Sequence, residues 1–186
     1  ESDLKEKIQF NTVKELLVYS YRVAGTVGLM MAKILNVSDK RALIGAIDLG
    51  IAMQLTNISR DVVEDYKMNR EYIKDDFENI KSTLKLADMF YESSFSSLKK
   101  IPIRYRFAII VARRVYRQIG REIIKKKNIE NYRRSGKIYV DNFGKITQTI
   151  LSFIDFIKLF FITIENHQRS QEHDIIKSEI NLNERI

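Results

Sequence analysis

The segment from which the fold can best be predicted is Gln54-Leu-Thr-Asn57-Ile-Ser-Arg60-Asp61-Val-Val-Glu64-Asp65. Its apolar residues favour a helix. Four polar side chains in it are spaced three, four and four residues apart: Gln54, Asn57, Asp61 and Asp65. At 100° per residue these four side chains lie on one face about 80° wide. The sequence therefore predicts a helix that carries an acidic, amide-bearing stripe.

This stripe carries the oxygen atoms that a hard divalent cation prefers. Mg²⁺ typically takes one or two protein carboxylates together with substrate phosphate oxygens, and Asp61 and Asp65 lie one turn apart. The alternative is a solvated helix face whose carboxylates pair with neighbouring cations such as Arg60 and Arg70, which is the commoner arrangement. Residues 48–54 are too apolar for an exposed helix, so we expect the stripe to face an enclosed cavity.

Composition predicts one all-α domain. Hydrophobic residues make up 45% of the 186-residue chain, and seven glycines and one proline leave few helix breakers. No alternating pattern of apolar and polar residues indicates strands. We expect a single domain over residues 1–164, followed by a polar and disordered tail over residues 165–186.

Two further features of composition limit the function. The absence of cysteine excludes disulfide frameworks, thiolate zinc sites and cysteine nucleophiles. The net charge of +8 is compatible with an anionic partner or with a solubilising surface. No nucleic-acid motif accompanies the basic stretch 125–137, so a solvated or membrane-facing surface is favoured over nucleic-acid binding. His167 and His173 are expected to be solvated residues of the tail.

The first predicted helix runs from about residue 12 to residue 35. Thr12 and Glu15 have the spacing of a capping box at its start. It is apolar nearly all round and is therefore expected to be buried. Gly25 and Gly28 each cost about 1 kcal/mol relative to alanine in a helix, so they indicate close helix packing, close approach of a ligand, or a kink that opens a cavity.

The rest of the chain is predicted to be helical with short connections. Ser38 is the expected cap of the helix that carries the stripe. The predicted segments are a second helix over 39–66, a polar loop over 67–76, a third helix over 80–98 and a fourth over 105–126. The very apolar stretch 147–164 contains Asp155 and Lys158 in its middle, so a core or membrane-surface helix with an Asp155–Lys158 pair fits better than a membrane span.

Two stretches together resemble the signatures of the squalene and phytoene synthase family. The first is Tyr19-Ser-Tyr-Arg-Val-Ala-Gly-Thr-Val-Gly28. The second is Gly50-Ile-Ala-Met-Gln-Leu-Thr-Asn-Ile-Ser-Arg-Asp-Val-Val-Glu-Asp65, followed by Arg70-Glu-Tyr72. Residues 101–120 are similar to the bacterial phytoene synthase branch. The resemblance therefore covers most of residues 12–145.

This resemblance implies an isoprenoid synthase fold, in which helices surround a central apolar cavity. The implied reaction is the head-to-head condensation of two geranylgeranyl diphosphates to phytoene through prephytoene diphosphate, with Mg²⁺ or Mn²⁺ helping the diphosphate to leave. Squalene or dehydrosqualene synthesis from farnesyl diphosphate is the first alternative. The second is a catalytically silent relative that acts as a membrane-associated assembly factor.

The resemblance also implies roles for ten residues. Asp61 and Asp65 match metal-binding positions, and Gln54 and Asn57 match neighbours that face the diphosphate. Positions that counter or cover the diphosphate are matched by Arg60, Arg70 and Tyr72. Positions in the prenyl pocket are matched by Tyr19, Val23 and Tyr116. Of these ten, the residues expected to be catalytic are Asp61, Asp65, Arg60 and Tyr19.

The chain departs from the family pattern in two places. Lys74 stands where the family normally has proline, which affects only the loop geometry. The family also has an aspartate motif before the tyrosine-rich signature, and this chain starts too late to include it. We therefore expect the C-terminal part of a synthase that needs its missing N-terminal segment for activity. The expected location is cytoplasmic, peripheral to the inner face of the membrane.

Overall fold

The central element is helix α3 (Lys40–Arg60), which packs against α2 (Thr26–Ile34), α5 (Phe77–Phe95) and α6 (Ile103–Ile124) in a computed structural model that describes residues 8–162 and 170–183. Its Ile47, Ile51 and Leu55 side chains are fully buried. Within the described ranges, α3 is the one helix with the length and hydropathy of a membrane span, and 67% of that window is buried against other helices.

The remaining elements complete a helical bundle with one short pair of strands. The full order is β1 (Ile8–Gln9), α1 (Val13–Ser20), a π-helical turn (Tyr21–Gly25), α2, α3, α4 (Val62–Lys67), β2 (Arg70–Glu71), α5, a 3₁₀ turn (Ser96–Lys100), α6, α7 (Ile129–Arg134), α8 (Asn142–Phe161) and α9 (Gln171–Ile175). The predicted all-α fold class is confirmed.

The first helix begins with the predicted capping box, in which Thr12 and Glu15 each accept from the backbone of the other. It runs through α1, the π-helical turn and α2 without interruption. Gly28 permits close helix packing, because a Cβ there would lie 2.1 Å from the carbonyl oxygen of Ala46 in α3. The expectation that this helix is buried all round is wrong: one side of it leaves Val27 and Ile34 exposed.

Helix α3 begins one residue later than predicted and ends earlier. Asp39, not Ser38, caps it, because its Oδ1 accepts from the N–H groups of Arg41 and Ala42. It ends at Arg60, where Asp61 leaves the helical conformation with φ −102° and ψ 12°, and α4 then begins at Val62. The predicted stripe is therefore divided by a break at Asp61.

The segment predicted as a polar loop over 67–76 is held in place by a strand pair. Strand β2 pairs in parallel with β1, with Ile8 opposite Arg70. The chain then carries Tyr72 into the core, where its side chain is buried. Tyr72 is consequently a packed residue rather than part of a loose loop.

Helix α8 has two unlike faces. Gln148, Ser152 and Asp155 are buried on the side that packs on α6. The main partner of Asp155 is Arg114, at 2.5 Å, whereas the predicted partner Lys158 lies 4.0 Å away. The predicted pair is thus secondary, because α6 brings a cation to the buried side. The other side of α8 is an exposed apolar face, formed by Phe143, Ile146, Ile150, Phe153, Ile154, Ile157, Phe160 and Phe161.

The C-terminal segment differs from the predicted disordered tail. Within 170–183, Ile176, the residue that follows helix α9, is buried in the core, and His173 is only 1% exposed. His173 Nε2 lies 3.0 Å from Ser93 Oγ, which donates to the buried carboxylate of Asp48. The expectation of a solvated His173 is therefore wrong. The fold places its ring against a buried polar pair, Asp48 on α3 and Ser93 on α5. His167 and the other parts of the predicted tail, 165–169 and 184–186, lie outside the described residues.

Candidate active site

The candidate site forms at the break between α3 and α4. Arg60 ends α3, and its guanidinium holds the next residue, Asp61, through two hydrogen bonds: Nε donates to Oδ1 at 2.8 Å and Nη2 donates to Oδ2 at 2.7 Å. Burial opposes ionisation of Asp61, but the hydrogen bonds and charge of Arg60, with a further contribution from Lys137, outweigh it and lower the pKa of this carboxyl. Asp61 is therefore a carboxylate already surrounded by cations.

Two residues of this site come from the basic stretch that was predicted to be a solvated or membrane-facing surface. Lys137 Nζ lies 3.2 Å from Asp61 Oδ1. Tyr132 is buried, and its hydroxyl donates to the carbonyl oxygens of Ser59 and Arg60 at 3.0 and 2.7 Å. Sequence reasoning missed both roles. The one available signal was the presence of a tyrosine in a strongly basic segment.

Asp65 lies one turn beyond Asp61, on α4, and is half-buried. Burial raises its pKa first, the charge of Asp61 raises it further, and Arg70 acts in the opposite direction. Asp65, Arg70 and Tyr72 line the same small cleft, together with Ile58 and Val62. The structure thus brings together these three residues, as the sequence predicted.

Tyr19 and Tyr72 form an aromatic cluster next to this cleft. The Tyr19 hydroxyl donates to the Tyr72 hydroxyl at 3.0 Å, and the two rings stack with their centroids 4.9 Å apart. Phe10 packs against both rings at 5.2 and 5.5 Å. Burial, followed by the hydrogen bond from Tyr19, raises the pKa of Tyr72. The Tyr72 phenol is therefore a neutral hydrogen-bonding group at neutral pH.

Gln54 and Asn57 lie half-buried on α3, on the turns before Asp61. The Oδ1 atom of Asn57 is shielded from solvent and has no hydrogen-bond partner among the described residues. Such an orphaned acceptor suits a cation, and carboxylate and amide oxygens are the donors that Mg²⁺ takes. Within 8–162 and 170–183 no three Asp, Glu, His or Cys residues cluster as a metal site. The residues present fit a divalent cation that completes its coordination with phosphate oxygens or water.

An apolar cavity of about 350 Å³ lies along the same helix. Three of its lining residues, Ala46, Gly50 and Met53, are spaced four and three residues apart on α3. One further step of four reaches Asn57, so the cavity and the polar stripe share one helix face. Val23 lines this cavity from the first helix and is 42% exposed.

Tyr116 occupies a different position from Val23. It is half-buried on α6, packs against both hydrophobic clusters of the bundle, and lies near Arg60. The structure therefore places Val23 in the cavity, Tyr19 in the aromatic cluster, and Tyr116 on the Arg60 side of the site. The three residues assigned to one prenyl pocket border different parts of the site.

The fold is that of the all-α isoprenoid synthases. The structure is similar to the crystal structure of a dehydrosqualene synthase in complex with a ligand, with a TM-score of 0.66 and 27% sequence identity. The match covers 85% of this chain and 61% of that chain.

Sequence comparison then identifies the family. Residues 1–78 match the family model described as squalene/phytoene synthase. The chain is 37% identical to the 15-cis-phytoene synthase of Paracoccus sp. over 147 residues, which are 69% of this chain and 48% of that protein. It is also 37% identical to that of Enterobacter agglomerans, over 63% of this chain and 47% of the relative. The chain belongs to the squalene/phytoene synthase family, and it spans about half the length of these relatives.

Proposed function

We propose that this protein is a prenyltransferase of the phytoene synthase type, which condenses two geranylgeranyl diphosphates head to head to phytoene and releases diphosphate. The relatives named phytoene synthase and the dehydrosqualene synthase fold support a prenyl diphosphate as substrate. The proposed cofactor is Mg²⁺ or Mn²⁺, held by Asp61 and Asp65.

The observation that carries this proposal is the single face of α3 that joins an apolar cavity to a polar end. Ala46, Gly50 and Met53 line the cavity, and Asn57 and Asp61 follow on the next turns. A prenyl diphosphate has the same division, with a long apolar chain joined to a highly charged group. The apolar cavity would hold the prenyl chain away from water, and the polar end would bind the diphosphate.

Different residues of the site would make different contributions to the binding of the diphosphate. A bound divalent cation would neutralise the charge that develops on the leaving diphosphate. Arg60 and Arg70 supply fixed positive charge beside the carboxylates, and Arg60 remains protonated because its hydrogen bonds to Asp61 raise its pKa. The Tyr19–Tyr72 pair presents aromatic faces and hydroxyl groups next to the cleft, and its rings exclude water there.

Dehydrosqualene or squalene synthesis from farnesyl diphosphate is the second candidate, because the similar crystal structure is that of a dehydrosqualene synthase. The two functions differ in the length of the prenyl chain that the cavity accepts. A catalytically silent relative is disfavoured by the presence of both Asp61 and Asp65.

Product formation by the full-length product of the gene tests the proposal. The protein is incubated with geranylgeranyl diphosphate or with farnesyl diphosphate, each with Mg²⁺, and the extracted hydrocarbons are identified by mass. We expect a C40 product from geranylgeranyl diphosphate. A C30 product from farnesyl diphosphate alone would support the second candidate, and no product from either substrate would support a silent relative.

Asp61→Asn tests the role of the carboxylate in the same assay. We expect turnover to fall by at least about 100-fold, because neutralising the leaving group contributes several kcal/mol to catalysis. The thermal midpoint is expected to change by no more than about 2 °C, since the site is partly solvated. Glu64→Gln, a half-buried carboxylate three residues further on, is the control. A large loss of stability in Asp61→Asn would instead indicate a structural role.

We also propose that the protein binds peripherally to the membrane through the exposed apolar face of α8. Its eight exposed residues are 50–82% accessible, and contiguous apolar patches of this kind mark interaction sites. Lys145 and Lys158, on the same helix, are also exposed and would face anionic headgroups. Flotation with anionic vesicles tests this: binding that is lost in Phe153→Ser with Ile157→Ser supports it, and no binding of the unaltered protein contradicts it.

A further inference from the structure

The carboxylate of Asp61 is shared by two cations of different origin. Arg60 is its chain neighbour and occupies both oxygens. Lys137 comes from 76 residues further along the chain and adds a second contact at Oδ1. A divalent cation that binds to Oδ1 of Asp61 would therefore bind to an oxygen that the Lys137 ammonium group already contacts.

The position of Lys137 is fixed by anchors on both sides. Before it, the Tyr132 hydroxyl is bound to the carbonyl oxygens at the end of α3. After it, Ile138 and Val140 are buried in the same hydrophobic cluster as Val62, the residue that follows Asp61. Between these anchors, Gly136 adopts a φ of +61°, which residues with a side chain rarely adopt.

These anchors distinguish Lys137 from an ordinary surface lysine. Its side chain is 37% exposed and lies against a carboxylate that is 19% exposed. Lys125, in the same basic stretch, is 64% exposed and pairs, among the residues that the structure describes, with Glu122 three positions before it. The fold therefore brings Lys137, and not the basic stretch as a whole, to the site.

We propose that Lys137 is a positioning residue that competes with the divalent cation for Asp61. It holds the carboxylate in its place beside Arg60 in the metal-free protein, and its ammonium group must move away before Oδ1 can coordinate a metal. The inference rests on the proposed function, because it assumes that Asp61 is a metal ligand. Lys137 would then be a competitor, within the same chain, for the carboxylate that binds the metal.

Binding of Mn²⁺ alone to the full-length protein tests the inference without any turnover. The free ion is measured by electron paramagnetic resonance at pH 7.5 for the unaltered protein and for Lys137→Met, which keeps the aliphatic stem and loses the charge. We expect Lys137→Met to bind Mn²⁺ about threefold more tightly, the effect of removing one partly exposed ion pair. Lys137→Gln is a second neutral variant, and circular dichroism checks that each variant is folded.

Two further variants separate competition from a structural role. Lys137→Arg keeps the positive charge and should retain the original Mn²⁺ affinity. Lys125→Met removes a charge from the same stretch, away from Asp61, and should also leave the affinity unchanged. Equal or weaker Mn²⁺ binding by both neutral variants would overturn the inference while leaving the proposed function intact. Absence of Mn²⁺ binding by every form would instead overturn the metal role of Asp61, and the inference with it.

Discussion

Asp61 and Asp65 lie one turn apart, yet their surroundings shift their pKa values in opposite directions. Cations reach Asp61 and lower its pKa, whereas burial and the charge of Asp61 raise that of Asp65. Two adjacent carboxylates of this kind are what a divalent cation would stabilise, because it would remove the repulsion between them. The same repulsion makes the ionised Asp65 a source of instability in the metal-free protein.

The stability of the metal-free protein should therefore depend on Asp65 and on pH. Between the ordinary pKa of aspartate and the raised value of Asp65, the folded protein binds more protons than the unfolded chain, so stability falls as the pH rises through this window. Asp65→Asn removes the effect. We expect the variant to have the higher thermal midpoint at pH 7 and the same midpoint as the unaltered protein below about pH 4, where the carboxyl is protonated in both states.

Thermal unfolding followed by circular dichroism from pH 3 to pH 8, in the presence of a chelator, measures this. Glu130→Gln, which changes an exposed carboxylate on α7, is the control and should follow the unaltered protein. A pH-independent difference between Asp65→Asn and the unaltered protein would show that ionisation of Asp65 is not the cause.

Among the secondary-structure elements, the contact between the first helix and α3 determines the relative positions of the site residues on these two helices. It depends on two small residues that let the backbones approach. A Cβ at Gly28 would lie 2.1 Å from the Ala46 carbonyl oxygen, and a Cβ at Gly50 would lie 2.2 Å from that of Ala24. Both Ala46 and Gly50 also line the apolar cavity. Close packing of these helices therefore sets one wall of the cavity.

Gly28→Ala should consequently destabilise the protein. Alanine is the better helix former by about 1 kcal/mol, but the backbone atoms it meets cannot rotate away, and overpacking typically costs about 1–3 kcal/mol. We expect a net loss of up to about 2 kcal/mol in the free energy of unfolding, measured by urea denaturation.

Gly120→Ala is the matched control for this prediction. Its Cβ would meet only the end of the Leu84 side chain, at 3.1 Å, and that side chain can adjust. The control should therefore be neutral or slightly stabilising. Equal losses in the two variants would show that helix contact is not what Gly28 provides.

At the scale of the whole molecule, the C-terminal segment closes the bundle on the side of α3 and α5. His173 on α9 packs against Phe90 in a tilted arrangement, with ring centroids 4.3 Å apart, and lies within hydrogen-bond distance of Ser93. Glu179 pairs with Arg22, and the Tyr21 hydroxyl accepts from the N–H of Asn181. The segment thus links the first helix to the helices that carry and support the site.

His173→Ala should loosen this segment and destabilise the bundle. Removing a buried hydrogen-bonding group while its partner Ser93 remains typically costs about 1–3 kcal/mol, and the ring contact with Phe90 is lost as well. Urea denaturation measures the loss, and limited proteolysis should show faster cleavage within 170–183. Asp174→Ala, at an exposed position of the same helix, should leave both measurements unchanged. Unchanged proteolysis in His173→Ala would contradict the role given to this histidine.

The break at Asp61, which places Asp65 on α4, could not be predicted from the amino-acid sequence. The helical fold class, the capping box at Thr12 and the face shared by Gln54, Asn57 and Asp61 could. These features depend on residues three or four apart, whose relation in a helix follows from its geometry alone. The family signatures extend over such local patterns too, so they identified the family.

The packing of the helices determines which distant groups meet. The Tyr132 hydroxyl bonds to a carbonyl group 73 residues away, and Arg114 reaches Asp155 across 41 residues. Lys137 at Asp61 and His173 at Ser93 belong to the same class of contact. A lysine in a basic run and a histidine in a polar tail look solvated in the sequence, because burial depends on how helices pack and not on neighbouring residues. That packing placed a cation at Asp61 and a histidine in the core.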